Sequence, residues 1–264
     1  MRFRVMSMSV VLVALMLSAP SAFAQLAAPA DAGVAMGHMH LTAKDVEGTR
    51  KLFTAIGGTP VANGTLQMIQ FPGVMVLVRQ ADVTGGSVGS VVNHFGFNVK
   101  DIRSSIAAWR AAGVTVETTA RADQAWLMTP DGARVEILED TAIAQPIRMH
   151  HIHFNVVDVP GMQKWYATHF GAKPGMRGQN IAGDLPGVNL TFGKVDVVNA
   201  GTRGRALDHI GFEIRNLPQF VEKLEAVGVK VAAPIRKAGN GTTSIAFLTD
   251  PWGTYIELTE GLAP

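Results

Sequence analysis

One unit recurs four times along this chain, and no other feature of the sequence limits the fold as strongly. Each copy begins with a histidine in a short segment of alternating apolar and polar residues. An aspartate or asparagine follows that histidine seven residues later. Successive histidines are 56, 57 and 58 residues apart: His38, His94, His151 and His209. Such regular spacing predicts four structurally equivalent modules.

Each copy is expected to form a strand, a helix and then several further strands. The alternation at its start is typical of a strand, and the aspartate or asparagine stands where a helix N-cap belongs. Helical periodicity follows in Val46–Ala55, Ile102–Ala112, Val159–His169 and Leu217–Val227. β-forming residues dominate the remainder, for example in Leu66–Phe71, Val74–Val78, Trp126–Thr129 and Ile245–Leu248. The sequence therefore predicts an α+β fold.

The first copy resembles the third, and the second resembles the fourth. This pattern indicates that a pair of modules was duplicated. The first and third copies carry His-x-His, so that His40 and His153 join the repeated histidines. The second and fourth carry His-x-Gly and end in a strand that contains a glutamate, Glu136 or Glu257. We therefore expect two domains of two consecutive modules each, with a flexible lead-in before them: 25–35 for the lead-in, 36–140 and 146–262 for the domains.

The first 24 residues have the pattern of a secretory signal peptide. Arg2 and Arg4 precede an uncharged apolar run, and Ser21–Ala24 has the small-x-small pattern that a signal peptidase recognises. The run is shorter than the roughly 20 residues that a membrane-spanning helix needs. We therefore expect cleavage near Ala24 and an exported protein, periplasmic or secreted, with no membrane association after cleavage.

Composition and charge exclude several functional classes. The chain is 47% hydrophobic and 17% charged, which favours a globular core over disorder. It contains no cysteine, so disulfides, cysteine-ligated metals and thiol nucleophiles are excluded. Removal of Arg2 and Arg4 from the 23 basic residues leaves 21, which equals the number of acidic residues, and gives no electrostatic signal for nucleic acid. The expected partner is a small molecule, bound by a monomer or a homodimer.

The histidine-bearing starts of the four modules, together with the ending Asp-Pro-x-Gly-x-x-Ile-Glu-Leu at Asp250–Leu258, resemble the vicinal oxygen chelate superfamily. That superfamily includes glyoxalase I, fosfomycin and bleomycin resistance proteins, methylmalonyl-CoA epimerase and extradiol dioxygenases. The resemblance covers nearly all of Gly37–Leu262. It implies βαβββ modules that pair to close a cupped sheet around a divalent metal ion (Fe2+, Zn2+, Mn2+ or Ni2+).

Histidines and glutamates are the candidate ligands for that metal. Histidines two apart in a strand point to the same face. Glu136 and Glu257 lie between apolar neighbours, where an ionised carboxylate is costly unless a partner holds it; the alternative is that they face solvent. Two imidazoles and one carboxylate leave coordination positions open for a substrate. Grouped by half, the predicted triads are His38, His94 and Glu136, and His151, His209 and Glu257.

The second half is predicted to hold the principal site, because its Asp250–Gly253 segment is the fuller signature and Asn189 can hydrogen-bond a metal-bound water. In that site Glu257 and His153 are the candidate catalytic residues, with His153 as a proton shuttle. His40 and His153 are alternatively further ligands or ordinary polar residues of the cup. Strict alternation would put His150 on the opposite face, in a structural role.

Two departures from family patterns bear on the activity. Neither Val74–Val78 nor Val188–Phe192 contains the carboxylate that glyoxalase I and the epimerase take as a fourth ligand. Phe247 stands where extradiol dioxygenases have a tyrosine. The resemblance implies a metal-dependent lyase, isomerase or dioxygenase acting on a small molecule with vicinal oxygens; export argues against glutathione adducts and coenzyme A thioesters. The alternative is a non-catalytic protein that binds or sequesters a ligand, as bleomycin resistance proteins do.

Overall fold

The computed structural model describes residues 26–232 and 234–263. The signal peptide predicted for residues 1–24 lies outside the described residues. Within the described part of the chain, no helix has both the length and the apolar character that crossing a membrane requires.

Each repeat folds as a strand, a helix and three strands, so the predicted α+β class and the four βαβββ modules are confirmed. The helices are α1 (Val46–Ala55), α2 (Ile102–Ala111), α3 (Val159–Phe170) and α4 (Leu217–Ala226). In every helix the predicted capping side chain accepts a hydrogen bond from the backbone N–H three residues later, as N-caps do. The caps are Asp45, Asp101, Asp158 and Asn216.

Sixteen strands complete the modules in the described chain. Module 1 contains β1 (Val34–Ala43), β2 (Thr59–Asn63), β3 (Leu66–Phe71) and β4 (Val74–Gln80). Module 2 contains β5 (Val92–Val99), β6 (Glu117–Thr118), β7 (Gln124–Met128) and β8 (Arg134–Glu139). Module 3 contains β9 (Ile147–Val156), β10 (Lys173–Arg177), β11 (Asn180–Leu185) and β12 (Val188–Lys194). Module 4 contains β13 (Leu207–Ile214), β14 (Arg236–Lys237), β15 (Ser244–Thr249) and β16 (Tyr255–Glu260).

The modules form two eight-stranded sheets, and modules that share a sheet are not the ones expected from the sequence. Sheet 1 combines modules 1 and 4 in the order β14-β15-β16-β13-β1-β4-β3-β2. Sheet 2 combines modules 2 and 3 in the order β10-β11-β12-β9-β5-β8-β7-β6. The expectation that 36–140 and 146–262 each close their own sheet is therefore wrong, since each half gives one module to each sheet. The segment 140–146, expected to separate the halves, connects β8 to β9 within sheet 2.

The two modules of each half, 1 with 2 and 3 with 4, meet through hydrophobic packing instead of strand pairing. Between modules 1 and 2, the rings of Phe53 and Phe95 stack with centroids 6.1 Å apart, and both residues are fully buried. Between modules 3 and 4, Phe170 packs on Phe212 at 5.1 Å. These residues belong to one continuous core. Modules 1 and 2 therefore bury the faces that pack on each other. The first strand of module 1 pairs with module 4, and the first strand of module 2 pairs with module 3.

A β-bulge coincides with each of the four repeated histidines. β1 pairs antiparallel with β13, and β5 with β9, and each pair has two register shifts. The extra residue in every shift directly precedes a repeated histidine: Gly37, Asn93, His150 and Asp208. A bulge sets two residues against one and redirects their side chains. Strict alternation therefore fails at the positions that carry the candidate ligands.

Candidate metal centre

Sheet 1 brings three histidines and one glutamate together at a cavity of about 630 Å3. One potential ligand atom of each residue lies within 4.8 Å of those of the others. The ligands come from β1, β13 and β16, the three adjacent strands at the centre of the sheet. We call this set cluster 1: His38, His40, His209 and Glu257.

The Glu257 carboxylate is the hydrogen-bonding centre of cluster 1. Its Oε2 atom lies 3.1 Å from His38 Nε2 and 2.8 Å from His209 Nε2. Burial raises the pKa of Glu257, but the hydrogen bonds from His209 and His38 outweigh burial and hold the pKa well below its usual range. The carboxylate is therefore ionised at neutral pH, and both imidazoles direct Nε2 to the same point.

Asp208 fixes the orientation of the His209 ring. The Asp208 carboxylate lies 2.6 Å from His209 Nδ1, on the side of the ring away from Glu257. Burial lowers the pKa of His209, but the hydrogen bonds to Asp208 and Glu257 outweigh it and raise the pKa. The bulge at Asp208 lets these consecutive side chains meet. A carboxylate on the far nitrogen of a ligand histidine orients the ring and increases its basicity.

His40 lines the cavity without any hydrogen-bond partner in the described chain. Both of its ring nitrogens are buried and unpaired, and so is Nδ1 of His38. Burial, followed by the electrostatic effect of the neighbouring His209 and His38 rings, lowers the pKa of His40 well below its usual value. A buried imidazole without a partner is destabilising. A divalent ion would supply that partner, and three imidazoles with one carboxylate suit such an ion. The residues of cluster 1 therefore fit a metal.

Two aromatic side chains form one wall of the cavity beside cluster 1. Phe247 and Tyr255 stack at 5.1 Å, and both direct an edge-to-face contact at His209, at 5.6 and 5.5 Å. Sequence reasoning identified neither Tyr255 nor Asp208 as site residues. A signal for Tyr255 was present, because it lies two positions before Glu257 in a strand and therefore shares its face. The bulge that brings Asp208 into place left no such signal.

Sheet 2 builds a similar set from modules 2 and 3, which we call cluster 2: His94, His151, His153 and Glu136. Glu136 Oε2 lies 3.3 Å from His94 Nε2 and 3.0 Å from His151 Nε2. The His153 ring stacks on that of His94 at 4.6 Å. Burial raises the pKa of Glu136, but the hydrogen bonds with His151 and His94 outweigh it and hold the pKa far below its usual range.

Cluster 2 differs from cluster 1 because other side chains already satisfy its carboxylate. Arg177 Nη2 lies 3.6 Å from Glu136 Oε2, and Gln124 donates a hydrogen bond to Glu136 Oε1. The residues at the same register positions in sheet 1 are Asn63 and Ile245. Asn63 donates instead to carbonyls of the last residues of the chain. Arginines also line the cavity of cluster 1, but in the described chain none of them forms an ion pair with Glu257, whose ion-pair partners are His38 and His209.

All six predicted metal ligands lie in a cluster, but the predicted grouping is wrong. His38 and His209 meet at Glu257, whereas His94 and His151 meet at Glu136. The triads assigned to each half do not form, because the sheets combine a module of one half with a module of the other.

The residues predicted to accompany the principal site are in sheet 2. His153 lies beside His94 and not beside Glu257, and His40 holds the corresponding position in cluster 1. Asn189 hydrogen-bonds Asp184 and Thr191, away from cluster 1. His150 was expected on the opposite face, and that was wrong. It is the bulged residue, and its Nδ1 lies 3.0 Å from Nδ1 of His151.

The structure also shows which residue replaces a second carboxylate. In the parallel pair β13–β16, Glu257 lies opposite Gly211. In the equivalent pair β1–β4, Leu77 lies opposite His40. Leu77 therefore occupies the position where a fourth, carboxylate ligand would be, as the composition of Val74–Val78 indicated. The fourth candidate donor in cluster 1 is instead His40.

Comparisons with known proteins agree with this architecture. The model of the Glyoxalase/Bleomycin resistance protein/Dioxygenase superfamily matches residues 148–258. Glyoxalase I from Zea mays is similar over 86% of this chain and 92% of its own, with a TM-score of 0.66 and 16% identity. A putative dioxygenase from Bacillus subtilis subsp. subtilis str. 168 is similar over 90% of this chain and 86% of its own, with a TM-score of 0.64 and 12% identity. At such identities the likeness shows the fold. No curated protein matches the chain significantly.

Proposed function

We propose that cluster 1 is the active centre of a metal-dependent enzyme of the Glyoxalase/Bleomycin resistance protein/Dioxygenase superfamily, whose model matches residues 148–258. The substrate is a small molecule with two adjacent oxygens, and the reaction is that of a lyase, an isomerase or a dioxygenase. The observation that carries the proposal is His40, whose two ring nitrogens are buried at the cavity without a partner, next to an ionised Glu257.

The residues of cluster 1 would hold a divalent ion, which, when bound, polarises the substrate oxygens as a Lewis acid. With the ion bound, Asp208 would hold the remaining proton of His209 on Nδ1, so that Nε2, which hydrogen-bonds Glu257 in the described structure, could bind the ion. The low pKa of His40 keeps its imidazole neutral at neutral pH. A neutral imidazole can either coordinate a metal or accept a proton from a substrate hydroxyl. Phe247 and Tyr255 form one apolar side of the cavity.

Cluster 1 is the better centre because its carboxylate remains available. In cluster 2 the Arg177 guanidinium already provides positive charge beside Glu136, and Gln124 occupies the second carboxylate oxygen. Adding a dication beside a guanidinium is electrostatically unfavourable. We therefore assign cluster 2 to the stability of sheet 2.

We also propose that the enzyme works outside the cytoplasm, as the signal-like composition of residues 1–24 supports. Mass spectrometry of the protein exported by a bacterial host should find Gln25 as its first residue. A full-length protein retained in the cytoplasm would contradict export.

The central test compares Glu257→Gln with Glu136→Gln, the same substitution in the other cluster. After loading with Zn2+, Mn2+ or Fe2+ and dialysis, the unmodified protein should retain about one ion per chain. Glu257→Gln should lose that ion and any activity on catechols, hydroxyketones or aldehyde adducts, because a neutral amide is a poor ligand. Glu136→Gln should retain both.

Retention of metal and activity by Glu257→Gln, with loss of both in Glu136→Gln, would place the centre in sheet 2. Metal-dependent ligand binding without any turnover would instead support the sequestering alternative.

A further inference from the structure

Aliphatic side chains line part of the cavity at cluster 1, in addition to the aromatic pair: Leu66, Leu77, Ile245 and Leu262. Leu77 lies opposite His40 in the pair β1–β4, so the aliphatic surface begins directly beside a candidate ligand. Leu77 and Leu262 also pack in one small apolar cluster, separate from the main core, with two buried methionines. A molecule held at cluster 1 therefore has aliphatic carbon on this side.

Leu262 belongs to the residues that follow β16, and polar side chains from three other segments hold those residues in place. Glu213 in β13 accepts hydrogen bonds from the backbone N–H groups of Gly261, at 2.7 Å, and of Leu262. Asn63 at the end of β2 donates to the Leu262 carbonyl at 3.1 Å, and Thr243 donates to the Gly261 carbonyl at 2.9 Å. We call residues 261–263 the end segment. These hydrogen bonds fix the end segment, and with it the Leu262 side chain, against the cavity.

Sheet 2 lacks this aliphatic surface at the corresponding positions of the described chain. Polar residues hold three of them: Thr191 corresponds to Leu77, Gln124 to Ile245 and Asn180 to Leu66. Because the two sheets share one architecture, the fold does not require aliphatic side chains there. Their presence beside cluster 1 favours a role in binding a ligand.

The aliphatic surface selects for an apolar group. A polar group placed against Leu77 or Leu262 would lose water without gaining a hydrogen-bond partner. An apolar group is stabilised in the same place, because its removal from water is favourable. Leu262 is only 1% exposed and packs on the methionines behind it, so a larger group fits only if Leu262 moves or is shortened.

We propose that the substrate carries an apolar group next to its two adjacent oxygens, that this group packs on Leu77 and Leu262, and that Leu262 limits its size. The placement of the group relative to the oxygens rests on the proposed function of cluster 1. The size limit itself requires only Leu262 and the end segment, so the two proposals can fail separately.

Three probes test the size limit: catechol, 4-methylcatechol and 4-tert-butylcatechol. All have two adjacent hydroxyls on one ring, and they differ only in the alkyl group. Affinities for the Zn2+-loaded protein are measured by isothermal titration calorimetry without oxygen. We expect 4-methylcatechol to bind about fourfold more tightly than catechol, as the burial of one methyl group provides. 4-tert-Butylcatechol should bind more weakly than 4-methylcatechol, because its larger group meets Leu262.

Leu262→Ala should reverse that order. It should bind 4-tert-butylcatechol about tenfold more tightly than the unmodified protein does, since the shortened side chain makes room for the buried carbons, while catechol affinity changes little. Leu262→Val, which removes less of the side chain and perturbs the fold less, should shift the affinities in the same direction by a smaller factor. Ile143→Ala is the matched control: Ile143 is buried in the segment that follows β8, and the order of the three probes should not change.

A loss of stability alone would lower all three affinities together, whereas a reversed order requires that Leu262 meets the alkyl group. Equal affinity for catechol and 4-methylcatechol, an unreversed order in Leu262→Ala, the same reversal in Ile143→Ala, or no binding of any probe overturns the size limit. Repeating the titrations after EDTA treatment separates the two proposals. If EDTA changes no affinity but Leu262→Ala still reverses the order, the function proposed for cluster 1 fails while the size limit stands.

Discussion

Asp208 and Asn93 occupy the same place in the two clusters, yet only Asp208 carries a charge. Each is a bulged residue beside the repeated histidine, with side-chain oxygen to Nδ1 distances of 2.6 and 2.9 Å. Burial lowers the pKa of both His209 and His94. In His209 the two carboxylates outweigh burial and raise the pKa, whereas in His94 burial prevails over the hydrogen bond with Glu136. The more basic imidazole belongs to cluster 1.

We expect Asp208→Asn to weaken Zn2+ binding at cluster 1 by about 10- to 100-fold, the usual effect of removing a carboxylate behind a ligand histidine. The amide oxygen can still accept the hydrogen bond from Nδ1, so the ring keeps its orientation, while the charge and the hydrogen bond that Asp208 Oδ2 accepts from the Gly204 N–H are lost. Competition with a chromophoric chelator measures the dissociation constant. The reciprocal change, Asn93→Asp, is the control and should leave cluster 1 unaltered. An unchanged dissociation constant in Asp208→Asn would show that Asp208 does not act on the metal.

The metal-free protein should lose stability as pH falls from 6.5 to 4, because buried histidines of sheet 2 resist protonation. Burial lowers the pKa of His153 and of His150 to about 4. Unfolded histidine titrates near 6.5. Between these values the unfolded chain binds protons that the folded chain does not, so the free energy of unfolding decreases by about 2 kcal/mol per group at pH 5.

Denaturant unfolding at pH 7 and pH 5 measures this decrease. His153→Gln should show a smaller decrease than the unmodified protein, by about 2 kcal/mol. His169→Gln is the control, because His169 is only partly buried at the end of α3 and its removal should leave the decrease nearly intact. An equal decrease in His153→Gln and the unmodified protein would show that His153 already titrates normally in the fold.

At the scale of strands, the glycine of each His-x-Gly is required by a histidine of the facing strand. A Cβ atom on Gly211 would lie 2.0 Å from Cε1 of His38, and one on Gly96 would lie 2.3 Å from Cε1 of His151. Each histidine ring therefore crosses directly over the glycine of the partner module. This contact explains why the third position of the His-x-Gly modules is a glycine.

Gly211→Ala should displace His38 and destabilise the protein by about 1–3 kcal/mol, the usual cost of overpacking. It should also release the metal from cluster 1. The double variant His38→Ala/Gly211→Ala removes the ring that causes the clash, so its free energy of unfolding should match that of His38→Ala alone. Denaturant unfolding and metal content check both statements. Additive destabilisation in the double variant would show that the clash does not involve His38.

At the scale of the whole molecule, two nearly equivalent sheets hold two unequal clusters. Arg177 and Gln124 contact Glu136, whereas Asn63 and Ile245 hold the same positions in sheet 1 and leave Glu257 to its two histidines. Arg177 also donates to Thr191, which lies at the fourth-ligand position of sheet 2. The duplicated fold thus keeps one cluster open and neutralises the other internally.

Arg177→Asn, which copies the residue of sheet 1, should raise the bound Zn2+ from one ion per chain to two. Loss of the guanidinium removes the competing positive charge, while His94, His151 and Glu136 remain in place. Arg148→Asn is the control: Arg148 belongs to the same sheet, and no ion pair joins it to Glu136 in the described chain. Isothermal titration calorimetry measures the number of Zn2+ ions bound per chain in each variant. If Arg177→Asn still binds one ion, the double variant Arg177→Asn/Gln124→Ile should bind two. One ion in the double variant would show that Arg177 and Gln124 do not prevent metal binding at cluster 2.

The sequence by itself determined the modules and the types of ligand. Helix limits were predicted to within one residue, because an N-cap such as Asp101 and the apolar periodicity behind it act on residues close by in the chain. The histidines and glutamates were found for the same reason, since their repetition is visible without knowledge of their neighbours. The caps and the apolar periodicity act within their own module, wherever that module packs.

Only the tertiary structure decided which modules share a sheet, and hence which ligands meet. A His-x-His module needs a facing glycine, and either Gly96 or Gly211 would have satisfied His38 in sequence terms. The choice involves contacts between segments far apart in the chain: Phe53 packs on Phe95 between modules 1 and 2, while β1 pairs with β13 and not with β5. The bulges that bring Asp208 and His150 beside the clusters arise from the same long-range pairing, since an extra residue exists only relative to a partner strand.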